Sequence, residues 1–165
     1  MEVARRFLAA EHPSASAAVL AGSVAAGTAT STSDLDVAIY YADRAANSAI
    51  TLEREDWLIE SFLYDPTSLT EWFDREAVQR RPVAIDMWAR GVPVLGSDTL
   101  AALQRRARAR LELGPEPLSD SESAELRYQL TASVDDLTGV RDLGEEYAIA
   151  ARVFERTACL LLMAK

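Results

Sequence analysis

Through residues 1–96 the apolar positions fall into short runs and strict alternations, whereas from Asp98 onward they recur at helical spacing. Residues 2–11 predict a first helix. Residues 16–21 (SAAVLA) are small and apolar, the pattern of a buried strand, and Gly22 and Ser23 end it. From Asp34 the alternation is strict. Asp34, Asp36, Ala38 and Tyr40 share one face of a strand and Leu35, Val37, Ile39 and Tyr41 the other, which predicts one core face and one open face. Residues 49–65 (AITLEREDWLIESFLYD) predict a hairpin that turns near Glu55 and Asp56. In its second strand Trp57, Ile59 and Leu63 share a face, leaving Glu60 with Leu58, Phe62 and Tyr64. Residues 68–80 then predict a helix built on Leu69, Trp72, Phe73 and Val78. Pro82 restarts the chain into a short helix through Ala89, and a strand or turn at residues 92–95 closes the unit.

The second half predicts helices only. Leu100, Leu103, Ala107 and Leu111 form a stripe, with Arg105, Arg106, Arg108 and Arg110 around it as a solvated basic face or, less simply, a contact for a triphosphate or a partner. The Gly114–Pro117 stretch is a rigid break, after which Ser119 and Glu122 make a capping box that starts a helix with Leu126, Leu130, Val134 and Leu137 on one face. Asp135 and Asp136 near its end read as an exposed acidic pair. Gly144 interrupts, and residues 145–164 predict a last helix rich in Ile149, Val153, Phe154 and Leu160–Leu162. So apolar a helix needs a cover, either the sheet unit or a second subunit. The fold expected is α/β: a small mixed sheet with flanking helices over residues 1–96, followed by a helical region over residues 97–165.

Composition narrows the class. A chain of 165 residues with a formal charge of −9 argues against a sequence-independent grip on DNA or RNA, which needs Lys and Arg to neutralise phosphates. Small phosphorylated substrates remain open to it, because a bound cation inverts the local field. The single cysteine, Cys159, lies in an apolar run and reads as a core thiol; without a second there is no intrachain disulfide. His12, before Pro13, suits a helix end or loop. Charges interrupt the N-terminal apolar residues and the apolar tail is too short to span a bilayer, so the expectation is a cytoplasmic protein without membrane contact.

Three acids carry the candidate chemistry. Asp34 and Asp36 stand about 7 Å apart at Cα on one strand face, repel each other without a cation, and together suit a hard divalent ion such as Mg²⁺ that shares its coordination with phosphates. Glu60 is an acid inside an apolar run, and if its strand lies beside that of Asp36, three carboxylates converge. Otherwise the aspartates mark a solvated strand start and Glu60 an exposed edge. The Gly22-Ser23 turn offers backbone N–H groups to an anion, and a short helix beginning at Ser23 would strengthen the attraction.

The run GSVAAGTATSTSDLDVAIY resembles the Gly-Ser and Asp-x-Asp signature of the nucleotidyltransferase superfamily, which includes DNA polymerase beta, the aminoglycoside nucleotidyltransferases and the minimal nucleotidyltransferases paired with helical proteins. The resemblance implies that Gly22 and Ser23, with Ser33 beside Asp34, hold nucleotide phosphates. It further implies that Asp34 and Asp36 bind the metals and that Glu60 is the third, catalytic carboxylate. Two departures stand out: Ala26 occupies a position where an arginine is common, and the third acid is Glu rather than Asp. The implied activity is transfer of a nucleoside monophosphate, AMP from ATP, to a hydroxyl with Mg²⁺ as cofactor and pyrophosphate as product. The acceptor stays open between an antibiotic-like small molecule and a protein. The alternative is an antitoxin-like interaction module of the same fold that binds a helical partner with weak or no catalysis, and a homodimer is a further option for the last helix.

Overall fold

The computed structural model describes residues 1–96 and 98–163. It divides into two compact units, residues 1–115 and 116–165. In the first, α1 (Glu2–Glu11), β1 (Ala17–Ala21), α2 (Gly22–Ala26), β2 (Leu35–Tyr40), β3 (Asn47–Arg54), β4 (Trp57–Tyr64), α3 (Pro66–Gln79), α4 (Val83–Arg90), β5 (Val92–Leu95) and α5 (Asp98–Leu113) follow in chain order. The strands form one mixed sheet in the order β3-β4-β2-β1-β5, antiparallel except for the β2–β4 pair. Glu55 and Asp56, both at positive φ, make the β3–β4 turn. This is the α/β architecture that the alternating runs predict.

Both faces of the sheet are covered, where the alternation alone leaves one open. Leu35, Val37, Ile39 and Tyr41 pack with Ile59, Leu63 and the Ala4, Phe7 and Leu8 side of α1. On the other face Ala38, Tyr40 and Tyr64 lie under Leu69 and Phe73 of α3, Trp88 of α4 and Leu100, Leu103 and Ala107 of α5. The beginning of that face, at Asp34 and Asp36, is half-buried and carries acids instead of core residues. The polar character of a face is therefore a property of its end, because side chains further along β2 are small or aromatic and bury well.

Local chemistry sets the element ends. Asp65 caps α3, its Oδ1 accepting from the Thr67 and Ser68 N–H groups at 2.8 Å, with Pro66 in the first turn, so the helix starts two residues before the expected Ser68. His12 caps the end of α1, and its Nδ1 lies 2.6 Å from the Tyr41 hydroxyl. Arg105, Arg106 and Arg108 of α5 are exposed, as a solvated basic face requires, and three of the helix's arginines are also tied to the unit. Arg106 donates to Thr70 Oγ1 at 2.8 Å and covers the Phe73 ring, Arg108 donates to the Ala89 carbonyl at 3.0 Å, and Arg110 donates to the Gly114 carbonyl at 2.8 Å. The compact unit thus continues past Gly96 through α5 to Pro115. Ser97 lies outside the described residues.

The second unit is a helix pair, α6 (Asp120–Gly139) and α7 (Leu143–Met163). The Ser119–Glu122 capping box starts α6 as expected. The α7 helix begins before Gly144, with Asp142 Oδ1 accepting from the Glu145 N–H at 2.9 Å, so the chain is interrupted at residues 140–142 instead. Ala164, the expected helix end, lies outside the described residues. Arg156 of α7 donates to the Gln129 carbonyl at 2.8 Å and to Ser133 Oγ, binding the pair together. Ile149 is buried, whereas Phe154 and Leu161 are 77% and 66% exposed, so they stand on another side of the helix from Ile149. Among the described residues no helix is long and apolar enough to cross a membrane.

Candidate active site

The parallel pairing of β2 with β4 sets Asp36 directly opposite Glu60. Both point to the face under α3–α5, where Ala38, Tyr40, Phe62 and Tyr64 follow them along the two strands. Asp34 precedes β2. One carboxylate oxygen from each of the three acids lies within 4.8 Å of those of the other two, each residue being half-buried. No hydrogen bond or ion pair among the described residues engages any of the three.

That arrangement shows in the proton affinity of the central acid. Burial pushes the Asp36 carboxyl above its ordinary range, and the charges of Asp34 and Glu60 push it further. Three hard oxygen donors converging at one point, partly desolvated and mutually repulsive, are the donor set that a small divalent cation such as Mg²⁺ takes. The residues present therefore fit such an ion.

The Gly-Ser turn meets the acids from the other side. At the end of β1, Ala21 pairs with Asp36, so Gly22 leaves the sheet beside it. A Cβ built on Gly22 would lie 1.8 Å from Asp36 Oδ2, and its φ of +64° is left-handed. Only glycine lets the backbone pass this close. The turn runs into the five-residue α2, and Thr28 N–H returns to the Ser23 carbonyl at 2.9 Å. Ser23 Oγ donates to Ser33 Oγ at 3.0 Å, and Ser33 Oγ also accepts from the Thr30 N–H at 2.8 Å. Six residues picked out in sequence, Gly22, Ser23, Ser33, Asp34, Asp36 and Glu60, are thereby gathered on the three central strands, around the start of β2.

A nucleotidyltransferase domain family model matches residues 1–88, from α1 into α4. The chain belongs to this family. The residues matched hold the whole acidic cluster and the Gly-Ser turn, while α5 and the second unit lie beyond them. Among solved structures, the nucleotidyltransferase-like protein from Exiguobacterium sibiricum 255-15 is similar at 12% identity and a TM-score of 0.49. The alignment covers 99% of this chain and 57% of that one, so this chain spans a little over half the length of that protein. No curated protein matches the chain.

Sequence reasoning missed one functional-looking acid nearby. Glu76 on α3 is 4% exposed, and its two oxygens accept from the Ala84 and Ile85 N–H groups at 2.7 and 3.0 Å. It caps α4, whose N-cap Pro82 offers no side-chain bond. The acidic pair that the sequence did single out, Asp135 and Asp136, is exposed on α6.

Proposed function

We propose that the chain is a Mg²⁺-dependent nucleotidyltransferase that moves a nucleoside monophosphate, AMP from ATP, to a hydroxyl acceptor and releases pyrophosphate. The observation that carries this reading is the convergence of Asp34, Asp36 and Glu60 without a protein partner, beside a glycine pressed against one of them. Asp34, Asp36 and Glu60 would hold the ion. When bound, Mg²⁺ neutralises triphosphate charge and lowers the pKa of the acceptor hydroxyl.

The protein's own groups supply position and a proton sink. Gly22 and Ser23 would seat the β and γ phosphates, with N–H groups of the turn directed at the anion and the Ser23 hydroxyl held by Ser33. Phosphates so placed present the α-phosphorus to the strand ends of β2 and β4. The acceptor oxygen bonds to that phosphorus as the bridging bond to the β-phosphate breaks. A Glu60 oxygen takes the hydroxyl proton, and pyrophosphate leaves on the side of the Gly-Ser turn. The acceptor is a small molecule or a protein side chain.

A pyrophosphate-release screen with Mg²⁺, each NTP and both acceptor classes tests the reading. ATP-dependent release that disappears in Asp36→Asn supports it; equal release by the two proteins would defeat it. A second reading has its own observation. Tyr147, Phe154, Leu161 and Leu162 are all exposed on α7, as an interaction module that binds a helical partner or a second copy would require. Phe154→Glu should then break the assembly seen by light scattering while leaving the acidic cluster intact; a wild type that stays monomeric at high concentration speaks against it.

A further inference from the structure

A cavity of about 390 Å³ opens between the β3–β4 hairpin and helices α3 and α4, within the range of small-molecule sites. Its floor is Ala49, Phe62 and Tyr64, its walls include Trp72 and Met87, and Arg81 stands at its rim. Glu76 also lines it, but both of its oxygens are engaged by N–H groups of α4. The Arg81 guanidinium has no hydrogen-bond or ion-pair partner among the described residues. An apolar slot with one uncommitted cation favours a flat apolar body carrying a negative group.

Its place in the sheet connects it to the acids. Register puts Thr51 opposite Glu60 and Ala49 opposite Phe62, so the floor begins at the next same-face position after Glu60, about 7 Å along the strand. Across the sheet, β1 with the Gly-Ser turn lies on one side of β2, and β4 and β3 lie on the other. In-line displacement puts the entering and leaving oxygens on opposite sides of phosphorus. With pyrophosphate leaving at Gly22 and Ser23, the acceptor must enter over β4 and β3, where this cavity lies.

We infer that the cavity binds the acceptor, and that the acceptor is a flat, largely apolar ring compound bearing a hydroxyl and an acidic group rather than a polycationic amino sugar. This rests on the nucleotidyl-transfer reading for the side of entry. The transfer is the one written above: the ring compound's hydroxyl oxygen bonds to the α-phosphorus, its proton goes to Glu60, and pyrophosphate departs. Arg81 holds the acidic group and opposes a cationic competitor.

The probe is 8-anilinonaphthalene-1-sulfonate, an anionic aromatic dye, titrated by fluorescence against the full chain, with uncharged N-phenyl-1-naphthylamine beside it. The sulfonate should saturate one site per chain. Ala49→Trp, which fills the slot, should weaken both dyes at least tenfold, and Arg81→Glu should weaken only the sulfonate by about tenfold. Arg81 is exposed, and its side chain supports nothing else, so this variant keeps the measurement decisive if Ala49→Trp unfolds. Unsaturable binding, or both variants binding the sulfonate like the wild type, overturns the assignment. With ATP and Mg²⁺, hydroxyaryl carboxylates should release pyrophosphate with KM raised about tenfold by Arg81→Glu and kcat held; release with amino sugars alone overturns it. No release from any acceptor would count against nucleotidyl transfer, and the dye titration then decides the cavity by itself.

Discussion

Glu76 and the Asp34, Asp36 and Glu60 cluster are acids of one chemical kind in two regions of one domain, and their surroundings differ in burial and in what answers their charge. Glu76 is the more deeply buried, yet each of its oxygens receives an N–H from the first turn of α4, where the helix dipole also favours negative charge. The cluster is only half-buried but has no donor among the described residues, and burial, with the charges of Asp34 and Glu60, raises the charging cost of Asp36. Burial alone therefore does not separate a functional acid from a structural one. What separates them is the compensating positive charge: the fold supplies it to Glu76, and among the described residues it supplies none to the cluster.

Removing the two kinds of acid should have opposite consequences. The largest effect is expected for Asp36→Asn, which should lower nucleotidyl transfer by about a thousandfold or more while the metal-free protein keeps its fold, as steady-state kinetics and circular dichroism would reveal. Glu76→Ala should do the reverse. Leaving the Ala84 and Ile85 N–H groups without their charged acceptor should cost about 2–3 kcal/mol in urea unfolding, with Mn²⁺ uptake at the acidic cluster retained. A Glu76→Ala protein of wild-type stability would erase the contrast.

Ligand addition sharpens it further. ATP with Mg²⁺ at a hundredfold excess over its dissociation constant should stabilise the wild type by about 2.7 kcal/mol, and ATP with excess chelator should not. A shift that survives the chelator would point to a nucleotide site away from the acids. The smallest effect is in pH. Because Asp36 holds its proton in the fold above its ordinary value of 3.8, its contribution to stability is complete below that value and is lost as pH rises through the native pKa. Asp65 works the other way: N–H donors, that of Ala46 first, hold its carboxyl low, so its contribution is present at higher pH and lost as pH falls. The difference curve between wild type and Asp36→Asn isolates the first effect. It should show the metal-free wild type losing stability relative to the variant as pH rises, and a flat difference would contradict the repulsion.

Much of this was legible because it is local. The bounds of the first helix and of the strand at residues 92–95 follow from periodicity, and the Glu55-Asp56 turn from the spacing between alternating runs. The acids were legible because alternation in β2 and in β4 fixed which residues share a face, leaving only the pairing of the two strands to be supplied. What sequence hid is tertiary. Glu76 stands at i+3 from Phe73 and i+7 from Leu69, on the apolar face of α3 and away from the exposed Glu71 and Asp74, so its burial was legible in the pattern; what sequence hid is that its partners belong to the next helix. The cover over Ala38 and Tyr40 and the cavity over Phe62 depend on how α3–α5 settle on the sheet. Ile149 and Phe154 look alike in an apolar run, and only the packing of α6 decides which is buried.

The central claim, that the charge of the cluster is answered by a cation from solution, is tested most directly by titrating Mn²⁺ into the protein with a non-hydrolysable ATP analogue and following free ion by electron paramagnetic resonance. Wild type should take up the ion beyond what the nucleotide alone holds, Glu76→Gln should match it, and Asp36→Asn should lose most of the excess. Equal uptake by wild type and Asp36→Asn would contradict the claim.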